Sequence, residues 1–175
     1  LENSFVETDA YSVGSTWFFD QGSYFGVSFS SYKSKYGVAG HEHHHEEGEE
    51  FVKIHLSRKR YDGELVLIEP LDWIEAARFR LGYTDYDHRE LEGDETGTVF
   101  ENEGWEFRGE IAHYELAIFD EGISGIQLSD TDFSANGDEA FSLPSTTRNQ
   151  AFFVSEHIHG DLLHWDFGAR IEHQT

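Results

Sequence analysis

The chain has 175 residues, which as a prior is one domain, and its 12 Lys and Arg against 35 Asp and Glu give a formal net charge of −23. This acidity argues against a nucleic-acid partner, because affinity for phosphates comes from Lys and Arg. The aromatic fraction of 15% argues against a disordered acidic chain, and the absence of cysteine excludes disulfides and thiolate metal sites. No apolar run approaches the roughly 18 residues of a membrane-spanning helix, which leaves spanning by strands open.

The start of the chain lacks a basic segment followed by an apolar one. It opens with Leu1, and methionine is absent throughout. We therefore expect a mature product or an internal piece of a longer chain.

Alternation of apolar and polar residues with a period of two dominates the sequence and predicts strands. In the first, Tyr11, Val13 and Trp17 share one face, and Ser12 and Thr16 lie on the other. No helix-length amphipathic segment is found. The predicted strands, in chain order, cover residues 10–19, 24–30, 52–57 with a continuation to 67, 77–83, 105–111, 124–128, 152–158 and 163–172.

The connections between these strands alternate between short and long. The short turns lie near 20–22, 69–72, 119–122 and 160–161, and the long polar connections near 37–50, 85–103 and 130–149. This pattern predicts an all-β, antiparallel, up-and-down sheet and is typical of outer-membrane barrels. We expect 37–50 to be a mobile loop rather than a strand, because its glutamates repel one another and its glycines add conformational freedom.

A transmembrane β-barrel segment is favoured over a soluble barrel or sandwich, whose strands also alternate. Aromatic residues such as Trp17 and Trp105 lie near strand ends, as in interfacial girdles, and the opposite face is too polar to make a soluble core. In the last strand, Trp165 and its apolar neighbours Phe167 and Ala169 should face outward. Arg170 should face inward, since a lipid-facing charge costs roughly 2–4 kcal/mol at the midplane.

The most distinctive motif is the run HEHHHEEGEE at residues 41–50. Imidazole nitrogen and carboxylate oxygen both bind Zn²⁺, and the surrounding glutamates attract cations. The run predicts capture of zinc or another divalent ion, although an ordinary acidic loop or an introduced tag is the alternative. His88, near Asp85 and Asp87, could join this site. The predicted metal ligands are His41, Glu42, His43, His44, His45, Glu46 and His88.

Acidic residues concentrate in the long connections, which contain 17 of the 35 carboxylates. This distribution would steer cations inward and repel anions. It could equally serve solubility, or the bridging of surface lipopolysaccharide through divalent ions. No phosphate-binding glycine loop, nucleophile elbow or HExxH helix is present, so we expect the protein not to be an enzyme.

Several stretches, taken in order, resemble TonB-dependent outer-membrane receptors. The stretches that carry the resemblance are Ser31–His41, Leu81–His88, Gly97–Gly104, Asp130–Ala135 with Glu139–Phe141, and Gly168–His173. The His/Glu-rich run that follows Gly37 is similar to that of zinc-importing members of the family.

The resemblance implies a 22-stranded barrel in the bacterial outer membrane, occluded by a plug domain and driven by the inner-membrane TonB complex. Residues 1–175 would be about eight strands of that larger barrel, with no plug domain and no TonB-contacting part in this chain. The implied partners are a divalent metal ion, membrane lipid and the TonB complex, and zinc would be the transported ligand rather than a cofactor. The alternatives are a receptor for siderophores or another metal complex, and a soluble periplasmic metal-binding β-protein.

Overall fold

The chain forms one antiparallel sheet of eight strands in a computed structural model. The structure describes residues 3–20, 22–45, 48–93, 95–137, 140 and 142–175, and for 40–45 and 48–50 it describes the backbone only. The strands are β1 (Val6–Phe18), β2 (Tyr24–His45), β3 (Gly48–Leu71), β4 (Ile74–Glu92), β5 (Glu95–His113), β6 (Glu121–Gly137), β7 (Ser145–His159) and β8 (His164–Gln174).

Every strand pairs with its neighbours in the sequence, in the order β1 to β8. The predicted all-β, up-and-down arrangement of about eight strands is therefore confirmed. In the described part of the chain β1 and β8 are the two edges, so the sheet is open rather than closed into a barrel. Residues along both edge strands are exposed throughout.

The pairing register keeps residues of one kind on each face. In β8, Trp165 pairs with Ile158 and Arg170 pairs with Phe153, which places the two β8 side chains on opposite faces, as predicted. One face collects large apolar residues and the other collects arginines and carboxylates. Few apolar side chains are fully buried, and most large ones are exposed, so the described sheet has no second apolar layer against it.

The predicted long connections are wrong, because strands occupy most of them. β2 continues to His45 and β3 begins at Gly48, so the 37–50 segment is not the loop that we expected. The backbone ladder resumes at the Glu42–Phe51 pair after an irregularity that begins at Gly37. Backbone hydrogen bonds carry this pairing and need no hydrophobic period in the sequence.

The other two long connections shorten in the same way. β4 ends at Glu92 and β5 starts at Glu95, while β6 and β7 are separated by residues 138–144. The three hairpins of this end, which we call the long end, therefore stand on paired strands rather than on irregular loops. The opposite end, which we call the short-turn end, contains the connections 19–23, 72–73, 114–120 and 160–163.

The turn between β1 and β2 shows how the short-turn end is held. Ser23 donates its backbone N–H to Asp20 Oδ1 at 2.7 Å. Gly22 adopts a φ of 127°, a backbone conformation that residues with side chains rarely adopt. The Ser23 hydroxyl, nearly inaccessible at 1% exposure, accepts the backbone N–H of Ile68 at 2.9 Å. The turn is thereby anchored to β3.

Candidate functional site

Arg60 is the centre of a polar network on one face of the sheet. Its guanidinium lies 2.8 Å from Asp62 Oδ1 and 2.8 Å from Glu106 Oε1. Glu106 belongs to β5, so the Arg60 side chain crosses over β4 to reach it. It passes Gly82, where an added Cβ would lie 2.8 Å from Arg60 Nη2. The glycine therefore leaves room for an ion pair that links strands that are not neighbours.

Two further arginines extend this network across the sheet. Arg80 donates to Glu64 Oε1 at 2.8 Å, and Tyr24 donates to the other oxygen of Glu64 at 2.8 Å. Arg108 donates to Glu110 Oε1 at 2.7 Å and lies 4.5 Å from the centre of the Phe153 ring. Tyr24, Glu64, Arg80 and Arg108 border a concavity of about 520 Å³ on the polar face.

The central polar face, as we define it, has equal numbers of opposite charges. Its members are Arg60, Arg78, Arg80, Arg108 and Arg170 with Asp62, Glu64, Glu106, Glu110 and Glu172. Arg170 completes the set at the far edge by donating to Glu172 at 2.9 Å and to Gln127 at 3.4 Å. Charge is thus neutralised within the sheet itself.

The opposite face, the apolar face, carries a row of aromatic rings across five strands. The aromatic row consists of Tyr11, Phe29, Tyr61, Tyr83 and Trp105. The rings of Phe29 and Tyr61 have their centres 4.8 Å apart, and those of Tyr61 and Tyr83 are 6.1 Å apart. From this row to Leu67, the apolar face of β2 to β5 carries no charged residue.

On β3, β4 and β5, charged residues begin immediately beyond the aromatic row, two positions further towards the long end. Asp85, Glu103 and Asp132 pair in one line across β4, β5 and β6, and we call them the acid row. Lys59 lies 3.7 Å from Asp85 at one end of the line. A shallow cavity of about 370 Å³ opens among these carboxylates. The change from aromatic to acidic is therefore abrupt.

Five of the seven predicted metal ligands, residues 41–45, lie at the end of β2. Backbone pairs join His43 to Glu50 and His44 to Glu49, so the run 41–45 forms the end of a strand. The side chains of His41, Glu42, His43, His44 and His45, and all of Glu46, lie outside the described residues. Their role as metal ligands stays a prediction.

His88 lies on β4, nearer to the middle of the sheet than the His/Glu run. It pairs with Leu56, whereas the His/Glu run begins at the Glu42–Phe51 pair, so five residues, or about 16 Å of strand, separate the two levels. Its Nδ1 is 3.2 Å from the Tyr86 hydroxyl, and its buried Nε2, 3.9 Å from Glu90 Oε1, has no hydrogen-bond partner. Burial raises the pKa of Tyr86. The structure does not bring His88 to the level of the run.

A buried histidine that the sequence pattern did not single out lies at the short-turn end. His113 is 4% exposed, and its Nε2 lies 3.0 Å from Glu156 Oε2. The two residues are 43 positions apart in the sequence, so no local motif indicates their contact. Nearby, Tyr114 donates to Glu69 at 2.8 Å, and this hydrogen bond to a carboxylate raises the pKa of Tyr114.

Comparison with known families adds no assignment: no family model matches this chain. Among the described residues, no helix is long and apolar enough to cross a membrane. Within the same residues, no group of three or more His, Cys, Asp or Glu is arranged to hold a metal ion. The features of the molecule that bear on function are therefore the two faces of the sheet and the sequence of the hairpin tip.

Proposed function

We propose that this chain is a wall segment of a bacterial outer-membrane receptor that takes up zinc or another divalent metal, with the 41–46 tip as its capture site. The observation that carries the proposal is the two-faced sheet: an exposed apolar face ends at an aromatic row and is followed at once by charge. The transport act is binding and passage, without bond-making chemistry.

The apolar face suits contact with lipid. Leu81 is 53% exposed and Phe152 is 49% exposed, although both are large apolar side chains. From Tyr61 to Leu67 the uncharged band of the apolar face extends over six residue steps, or about 20 Å along the strand. Outer-membrane sheets present an apolar band about 25 Å tall, flanked by aromatic girdles. The aromatic row supports the placement of one such girdle.

The polar face suits a lumen. Four of its arginines, Arg60, Arg80, Arg108 and Arg170, form ion pairs with its carboxylates, as groups facing a polar interior would. The long end would then project beyond the bilayer, with the His/Glu run at the tip of its tallest hairpin. Carboxylates along this end would concentrate cations near imidazole ligands, which supply the bonds to the metal.

The resemblance to TonB-dependent receptors supports the inner-membrane TonB complex as the energy source for uptake. Uptake would be coupled to the inner-membrane TonB complex through parts of the receptor outside this chain, and a plug domain would close the barrel. Contributions of the plug to metal binding would add to those of the tip.

Zinc titration by calorimetry at about pH 7.4 tests the capture site. Replacing His41, His43, His44 and His45 together by Ala should weaken zinc binding by more than about tenfold, because nitrogen ligands supply the bonds. The matched control, Glu49→Gln with Glu50→Gln, should change affinity little, since distal carboxylates supply only a screened field. Binding should also weaken below about pH 6, because imidazole must be neutral to bind the metal and its unperturbed pKa is about 6.5.

Other outcomes would redirect the proposal. Equal zinc affinity in the wild-type and four-alanine proteins would place the site elsewhere in the chain. An absence of zinc binding in both would favour a receptor for siderophores or other metal complexes. A chain that binds zinc and stays monomeric without detergent would favour the soluble periplasmic metal-binding protein.

A further inference from the structure

His113 and Glu156 join three neighbouring strands at the short-turn end. His113 pairs across the ladder with Gly122 of β6, and Gly122 pairs in turn with Glu156 of β7. The two side chains meet over this glycine, where an added Cβ would collide with both Glu156 Oε2 and His113 Nε2. Their exposed fractions are 5% for the His113 side chain and 15% for that of Glu156.

Both ring nitrogens of His113 face acceptors. Nδ1 lies 2.6 Å from the backbone oxygen of Tyr114, and a carbonyl oxygen only accepts, so Nδ1 carries a proton. Nε2 lies 3.0 Å from Glu156 Oε2, and an ionised carboxylate also only accepts. The contact therefore needs a second proton, either on Nε2 or on the carboxyl group.

The surroundings of the pair contain no fixed positive charge. The segments 67–76, 111–124 and 154–167, which form this end of β3 to β8, contain no Lys or Arg. Histidines are therefore the only side chains there that can become cationic. The other titratable groups of these segments are Glu69, Asp72, Glu75, Tyr114, Glu115, Asp120, Glu121, His157, His159, Asp161, His164 and Asp166.

We infer that the His113–Glu156 contact holds one shared proton and forms a proton-dependent clamp across β5, β6 and β7. When the proton leaves, the Nε2 lone pair and the carboxylate face each other as two acceptors, and their repulsion opens the clamp. The clamp is thus closed at low pH and lost as pH rises. This inference concerns the end of the sheet opposite the metal-capture tip and does not depend on it.

Nitrogen-15 NMR of the imidazole rings in the full chain, held in detergent micelles, tests the clamp. At pH values where Gly122 is protected from exchange, His113, assigned through a His113→Gln variant, should show two protonated ring nitrogens, or one together with a protonated Glu156 carboxyl in the carbon-13 spectrum. Amide exchange at Gly122 and Ile123, corrected for the intrinsic effect of pH, should rise about tenfold as the proton is lost, because the hydrogen bond involves a charged group.

Glu156→Gln provides the decisive comparison. The Gln amide can donate to a neutral Nε2, so the contact should persist and the pH dependence of exchange should disappear. Asp166→Asn is the control, because the His157–Asp166 pair is solvent-exposed and should not affect Gly122. A neutral His113 beside an ionised Glu156 while Gly122 remains protected, or an unchanged pH dependence in Glu156→Gln, would overturn the inference. If Glu156→Gln does not fold, the wild-type spectrum alone decides.

Discussion

The middle of the sheet and its long end use the same strands but treat charge in opposite ways. The central polar face has five arginines and five carboxylates, which the strand register brings together. The segments that form the long end, residues 1–9, 31–59, 85–103 and 130–149, contain 20 carboxylates and seven Lys and Arg. One region is neutral within itself, and the other leaves most of its negative charge uncompensated.

This difference indicates what each region can contact. Uncompensated like charges are tolerable where water and counter-ions screen them, over about 8 Å at physiological salt. A band with an exposed apolar face on one side and neutralised polar groups on the other suits a medium that screens poorly. The boundary between the two regions is the step from the aromatic row to the acid row.

The largest expected effect comes from a charge placed on each side of that boundary. Leu81→Arg and Asp85→Arg change the same face of β4, four residues apart. In lipid vesicles, Leu81→Arg should lower the free energy of unfolding by roughly 2–4 kcal/mol, because the charge enters hydrocarbon. Asp85→Arg should change it by less than about 0.5 kcal/mol. Denaturant unfolding from vesicles measures both, and equal midpoints for Leu81→Arg and wild type would mean that water covers the apolar face.

A smaller effect is expected inside the central polar face. Arg60→Ala leaves Asp62 and Glu106 without their shared cation, so the free energy of unfolding should fall by about 1 kcal/mol, allowing for partial solvent screening. Arg58→Ala is the matched control, since Arg58 contacts the Tyr32 ring at 5.8 Å and forms no ion pair with the described carboxylates. Thermal or denaturant unfolding measures both variants. Equal losses of unfolding free energy would show that the ion pairs of Arg60 add no stability beyond that of an unpaired arginine side chain.

The smallest effect is expected within the acid row. Glu103→Gln removes the middle charge of the acid row and keeps an acceptor for the Tyr83 hydroxyl. The free energy of unfolding should therefore rise by about 0.2–1 kcal/mol at low salt. The gain should vanish near 1 M salt, where the screening length is about 3 Å. A gain that persists in high salt would argue that packing, rather than repulsion, separates the two proteins.

The sequence alone predicted the faces of the sheet because the apolar alternation is strong in its middle. Trp165 and Arg170 fall on opposite faces, as their alternation required. The long end was predicted wrongly because Asp85, Asp87 and their neighbours are polar on both faces, which removes the hydrophobic period while leaving backbone pairing intact. The hydrophobic pattern therefore predicted that the strands exist but not how long they are.

The candidate sites differ in the same way. The His/Glu run at the tip is contiguous and visible in the sequence. The His113–Glu156 contact depends on the registers of β5, β6 and β7 together, and on a glycine at 122 that leaves room for it. Such a contact becomes predictable only once three strands have been aligned.

The strictly sequential strand order also has a consequence for how the sheet assembles. Because each strand pairs only with its neighbours in the chain, any hairpin can act as a nucleus, and growth needs only short loop closures. Each added strand repeats the same division between an apolar and a polar face. A partly assembled sheet therefore presents the same apolar and polar faces as the finished one. New strands can be added without a rearrangement of the strands already in place.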